Sequence, residues 1–138
     1  MAVSTAMWLG GLAFSVEQDG HRFVIDGSEE FGGEDKGPRP KNLLLTALIG
    51  CTGMDVVSIL KKMKVENYTL TVSASGDYTE DHPRVFKFIN IEYLFRGNKL
   101  PRKQIERAVS LSQDRYCGVS AIFRCSVQMN HKIVIENT

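Results

Sequence analysis

Residues Pro38–Lys64, PRPKNLLLTALIGCTGMDVVSILKKMK, decide the fold. From Leu43 to Leu60 nearly every position is apolar or small on all sides of a helical wheel. Such a helix is either buried or membrane-spanning, and at about 18 residues it only reaches the lower edge of spanning length. Asp55 stands in its second half, where a charge would cost roughly 2.5–3.5 kcal/mol at a bilayer centre. Gly50, Thr52, Gly53 and Ser58 also fit a membrane poorly. The stretch is therefore expected to be the fully buried central helix of a soluble protein, with no membrane partner. Pro38 and Pro40 hold off helix before it, and Lys61, Lys62 and Lys64 suit the negative end of its dipole.

Outward from the helix, the elements follow from periodicity. Upstream, Thr5 to Gln18 reads as a strand, Asp19-Gly20 as a two-residue hairpin turn, and His21 to Asp26 as the return strand. The polar connection GSEEFGGEDKG up to Pro38 is longer than most loops, which marks it as mobile or functional. Downstream, Tyr68, Leu70, Val72 and Ala74 alternate with Thr69, Thr71, Ser73 and Ser75, as in a half-buried strand. VFKFINIEYLFRG is a second strand with Ile89, Ile91, Tyr93 and Phe95 on one face. After Pro101 the period becomes helical, with Ile105, Ala108, Val109, Ser112 and Tyr116 aligned. AIFR reads as a short apolar link. The last strand, Cys125 to Glu136, carries Cys125, Val127, Met129, His131, Ile133 and Ile135 on one side. The fold class is α+β in the order β-β-α(long)-β-β-α-β, one domain over residues 1–138. So few elements barely wrap a helix that is apolar all round, so a homodimer with an isologous interface is expected.

Composition narrows the function. The net charge of +1 on 138 residues gives no basic footprint for nucleic acid. The start, MAVSTAMWLGGLAF, lacks a basic n-region and a long apolar run, so no signal peptide is expected. Three cysteines, an odd number, suit a reducing, cytoplasmic setting. There is no C-x-x-C, and His21, His82 and His131 are scattered singly, so no zinc spacing is present and no metal is expected. Cys125 is expected in the core. Cys117, in DRYCG, sits at a helix end, where a new helical turn at Gly118 would favour its thiolate. Cys51 is mid-helix, and pattern alone leaves it as packing or as a nucleophile. Asp55, one turn on, is either a buried carboxylate satisfied by hydrogen bonds or a group that orients a cation.

The two cysteine motifs, GCTGMDVVSILKKM around Cys51 and DRYCGVSAIF around Cys117, resemble in this order the OsmC/Ohr family of thiol-dependent peroxidases, and the likeness extends over nearly the whole chain. The resemblance implies an intertwined α+β homodimer with two active sites at its interface. It implies reduction of organic hydroperoxides, and less well of hydrogen peroxide, in oxidative-stress defence. Cys51 matches the peroxidatic cysteine, whose thiolate would become a sulfenic acid. Cys117 matches the resolving cysteine, which would condense with it to a disulfide. No bound cofactor is implied; an external thiol or lipoyl dithiol would reduce the bond. Asn42 stands where the family usually has a glutamate, and about 13.5 Å of helix rise to Cys51 implies that any direct contact comes from the partner subunit. The family's thiolate-holding arginine has two candidates here, Arg22 in the hairpin and Arg39 before the helix. In its functional reading Asp55 would orient that arginine, and in its structural one it is a buried carboxylate satisfied by hydrogen bonds or an arginine; Tyr116 and Phe31 are candidates to line the pocket. Two other readings remain: a hot-dog-like acyl-thioester hydrolase using Asn42 or Asp55, and a non-enzymatic dimer that binds an apolar ligand.

Overall fold

The computed structural model describes all 138 residues. The chain forms two compact units, Met1–Leu44 and Leu45–Thr138. The mixed α+β architecture matches the expectation, with one strand, one α-helix and two short helical turns beyond the expected order.

The first unit is an antiparallel meander of β1 (Ser4–Gly10), β2 (Ala13–Gln18) and β3 (His21–Ile25). The stretch read as one strand from Thr5 to Gln18 is thus two. Gly10 and Gly11 take φ of 104° and 54°, values that suit residues without a Cβ, and the chain reverses there. The Trp8 indole N–H clips the turn by donating to the Gly11 carbonyl at 3.0 Å. Asp19-Gly20 makes the second turn as expected, with φ of 51° and 79°.

The long polar connection after β3 is folded around one carboxylate. Asp26 is 2 % exposed. Its Oδ1 accepts from the Gly27 amide at 2.7 Å, and its Oδ2 accepts from the Glu34 and Lys36 amides, each at 3.1 Å. These bonds, that from Lys36 foremost, hold its pKa below the usual carboxylate value against the opposing effect of burial. A single 3₁₀ turn, Glu29–Phe31, fits inside the loop. Gly33 packs so closely on the Gly27 backbone that a Cβ there would collide with it.

The second unit is built on α1 (Leu43–Lys62) and a sheet of β4 (Tyr68–Ser75), β5 (Phe88–Gly97) and β6 (Gln128–Asn137). β4 pairs with β5 antiparallel, and β5 with β6 parallel. Parallel neighbours need a crossover. It carries α2 (Arg102–Leu111), a π-helical turn (Ser112–Tyr116) and α3 (Gly118–Arg124). The segment read as the link AIFR lies in α3. α1 ends in a Schellman arrangement: Lys64 turns left-handed at φ 60°, the Val65 amide donates to Leu60 at 2.9 Å and the Lys64 amide to Lys61 at 3.0 Å.

β4 and β5 alternate as expected, and Ile89, Ile91, Tyr93 and Phe95 are no more than 1 % exposed. With Leu48, Val56, Leu60, Ile105 and Val109 they form one core cluster, each large side chain stabilising the fold by about 1.5–3 kcal/mol. Two expectations fail here. α1 is not fully buried: Leu48, Thr52, Val56 and Leu60, spaced by four, form one buried seam, whereas Leu44, Met54 and Val57 are exposed. The sheet of this unit covers one face of the helix, and nothing in the unit covers the other. The helix is also long and apolar enough to cross a membrane by length and composition, yet its seam is seated in a protein core. Cys125 is not a core residue either. β6 starts at Gln128, so Cys125 lies just past α3, exposed, with its thiol donating to the Ala121 carbonyl at 3.5 Å.

A carboxyl group with a lowered folded pKa stabilises above its unfolded pKa, near 3.9, and that contribution disappears as pH falls through the folded value. Thermal unfolding followed by circular dichroism should therefore show a lower Tm for Asp26→Ala than for the wild type at pH 7. The gap should stay full above about pH 4 and shrink below it; a gap that does not change with pH contradicts the clamp.

Candidate active site

α1 carries Cys51, Thr52 and Asp55 on neighbouring positions, and the crossover brings Ser112, Gln113 and Cys117 to meet them. Thr52, a polar residue in the buried seam, is the hub. Its Oγ1 lies 2.6 Å from the Tyr93 hydroxyl, 2.7 Å from Ser112 Oγ and 3.1 Å from the donating Gln113 Nε2. Gln113 Nε2 also donates to the Tyr93 hydroxyl at 2.8 Å, and Ser112 donates to Asp55 Oδ2 at 3.0 Å.

Proton bookkeeping gives this network a direction. Ser112 has one hydroxyl proton and gives it to Asp55, so it accepts from Thr52. Thr52 has then spent its own proton and accepts from both Tyr93 and Gln113. The order is Tyr93 to Thr52 to Ser112 to the Asp55 carboxylate, with Gln113 bracing the first two. Every member is satisfied, although Thr52 and Ser112 are 0 % exposed. The π-helical turn presents Ser112 and Gln113 together and carries Tyr116, expected on the same face, out to 55 % exposure. Arg124 pins the turn by donating to the Gln113 carbonyl.

The two thiols stand beside this network. The sulfurs of Cys51 and Cys117 and a carboxylate oxygen of Asp55 all lie within 4.8 Å of one another. Both cysteines are free, Cys117 buried and Cys51 partly so. Cys117 caps α3, which starts at Gly118, and its sulfur accepts from the Ser120 amide at 3.3 Å. Burial pushes the Cys51 thiol pKa up; the Val119 backbone amide pulls it down, while neighbouring Cys117 and Asp55 raise it further. No cationic side chain of this unit is among those influences. The Ser120 hydroxyl is fully buried and has no hydrogen-bond partner.

The remaining candidates divide by unit. Tyr116 borders an open groove of about 410 Å³ with Asp55, Ser58, Ile59, Lys62 and Leu111. In the first unit, Arg22 is paired with Glu17 at 3.1 Å on an exposed surface. Arg39 is paired with Asp35 at 2.7 Å and donates to the Gly37 carbonyl at 2.8 Å. Asn42 directly precedes α1, and Phe31 is 73 % exposed at the end of the 3₁₀ turn. Asp55 is thus a half-buried carboxylate satisfied by a serine. Thr52, Tyr93 and Gln113 were not foreseen as a cluster; the one hint was a threonine in the middle of an apolar helix.

A family model described as OsmC-like protein matches residues 33–132. The chain belongs to the OsmC-like family. Protein YhfA of Escherichia coli K12 is 34 % identical to this OsmC-like chain over 125 residues, 90 % of each. A hypothetical protein from Aquifex aeolicus VF5 superposes with a TM-score of 0.88 at 26 % identity, over 100 % of this chain and 98 % of its own. The organic hydroperoxide resistance protein OhrB of Bacillus subtilis shares the fold, with a TM-score of 0.66 at 20 % identity over 96 % and 97 % of the two chains.

Removing the hub of the network should be costly. Thr52→Val keeps the shape, takes one bond from each of three buried polar partners and leaves the Tyr93 hydroxyl proton without an acceptor, so denaturant titration should show a loss of about 1–3 kcal/mol. Thr69→Val, on the exposed face of β4, should stay within about 0.5 kcal/mol. Equal effects would mean that the network does not anchor the helix.

Proposed function

We propose that this OsmC-like protein is a cysteine-based peroxidase that reduces organic hydroperoxides, and hydrogen peroxide less well, in oxidative-stress defence. The observation that carries the reading is the adjacency of the free Cys51 and Cys117 thiols in the motifs that match the family. The names of structural relatives such as OhrB point the same way.

The chemistry runs in three balanced steps. The Cys51 sulfur attacks the peroxide O–O bond, takes one oxygen as a sulfenic acid, and the other leaves as the alcohol with the thiol proton. The Cys117 thiol then attacks the sulfenic sulfur, forming the disulfide and releasing water. An external dithiol, lipoyl or small-molecule, returns both cysteines to thiols by exchange. A disulfide needs an S–S distance near 2.05 Å, so the sulfurs approach each other in the second step. The Val119 and Ser120 amides help to carry charge on the two sulfurs. The elevated Cys51 pKa makes a cation an asset to this enzyme, and Arg22 and Arg39 are the sequence's two candidates for that role.

The reading includes a homodimer and a cytoplasmic location. Leu44, Met54 and Val57 on α1, and Met7, Trp8, Phe14 and Phe23 on the first sheet, are exposed in the single chain. A second copy would cover such apolar surface.

Thiol counting tests the chemistry. Reduced protein is mixed with one equivalent of cumene hydroperoxide, alkylated and analysed by mass spectrometry. The expected result is loss of two free thiols, mapped to Cys51 and Cys117, with Cys125 still alkylated. Three free thiols after full exposure would overturn the proposal.

A further inference from the structure

We infer that the reduced Cys51–Asp55–Cys117 cluster is a binding site for a soft divalent cation, Zn²⁺ in the first place. This goes beyond the peroxide reading and stands without it.

Three ligands of two types, two thiols and a carboxylate, converge here from two parts of the chain. Their donor atoms lie within 4.8 Å of one another. Zinc bonds of about 2.3 Å to sulfur and 2.0–2.2 Å to oxygen place tetrahedral ligand atoms roughly 3.3–3.8 Å apart, so side-chain rotation closes the site without moving the backbone. Two thiolates with one carboxylate are a zinc donor set, and the fourth position is left for water. The sequence hid this, because the ligands are spread over α1 and the far end of the crossover and form no C-x-x-C.

The surroundings are those of a metal centre. Asp55 Oδ2 is held by Ser112 at 3.0 Å, which leaves Oδ1 to bind. The Thr52 hub fixes Ser112 in turn, and such supporting shells set metal affinity. Backbone amides reach both sulfurs, that of Ser120 on Cys117 at 3.3 Å and that of Val119 on Cys51. They temper the charge of a dithiolate. Asp55 also borders the open groove beside α1, which gives an ion an access path. On binding, the two S–H bonds are replaced by two metal–sulfur bonds and the two protons pass to solvent, with no change of oxidation state. Zinc and peroxide would therefore compete for the same pair of sulfurs, and formation of the disulfide would release the ion.

The test uses the full-length reduced protein and Co²⁺ as a spectroscopic probe. Co²⁺ should bind one per chain with a sulfur-to-cobalt charge-transfer band, and one equivalent of Zn²⁺ should erase it. Cys51→Ser and Cys117→Ser should each abolish the band, whereas Cys125→Ser should leave it intact. Asp55→Asn, which keeps an acceptor for Ser112, should weaken Zn²⁺ binding at least about tenfold in equilibrium dialysis, with unchanged circular dichroism. No thiolate band in protein whose three thiols titrate as reduced would overturn the inference, as would full Zn²⁺ affinity in Asp55→Asn. Disulfide formation by cumene hydroperoxide without a cobalt band would sink the metal site alone. A cobalt band in protein whose thiols ignore peroxide would sink the peroxidase alone.

Discussion

A single threonine hydroxyl holds the second unit in register. Thr52 sits in the only buried seam of α1, and its three bonds reach β5 through Tyr93 and the π-helical turn through Ser112 and Gln113. Apolar packing along Leu48, Val56 and Leu60 is strong but indifferent to small rotations of the helix. A closed polar network is not, because each partner withdrawn leaves a buried group unpaired. The same hydroxyl therefore sets which way its neighbours Cys51 and Asp55 face. Placement of the thiols follows from satisfaction of the polar core.

Much of this was open to reading from the residues. The strict alternation of β4 and β5, the central helix and its position after Pro38-Arg39-Pro40, and the amphipathic α2 all stand where their periodicity put them. Two local readings failed for local reasons. Gly10-Gly11 splits a strand because left-handed backbone conformations reverse the chain there, which a side-chain pattern does not register. AIFR lies in α3 because the turn at Cys117 starts a new helix, and a helix of seven residues is too short for its period to show.

The site was half legible. Cys51, Cys117 and Asp55 could be singled out from motif and position, and they do meet. Thr52, Tyr93 and Gln113 could not, because their meaning lies in contacts between an α1 residue, a strand and a π-helical turn. The turn shifts the helical register, which is why the face drawn through Ser112 does not continue to Tyr116. Cys125 belongs to the core only if strand alternation is extended three residues before the strand begins. The all-round apolarity of α1 reads as complete burial, yet Leu44, Met54 and Val57 are exposed. The composition of a helix states how much apolar surface must be covered and does not say by which chain.

The parallel pairing of β5 and β6 also bears on when the site comes into being. Antiparallel β4 and β5 are sequence neighbours and pair across a short span. β6 follows β5 in the chain only after the whole crossover, which contains Ser112, Gln113 and Cys117. Closing long loops is entropically costly and slow. Cys51 is synthesised early and its neighbours late, so the thiol pair exists only once the crossover has packed against α1. Until the crossover has packed against α1, Cys51 has no partner sulfur beside it.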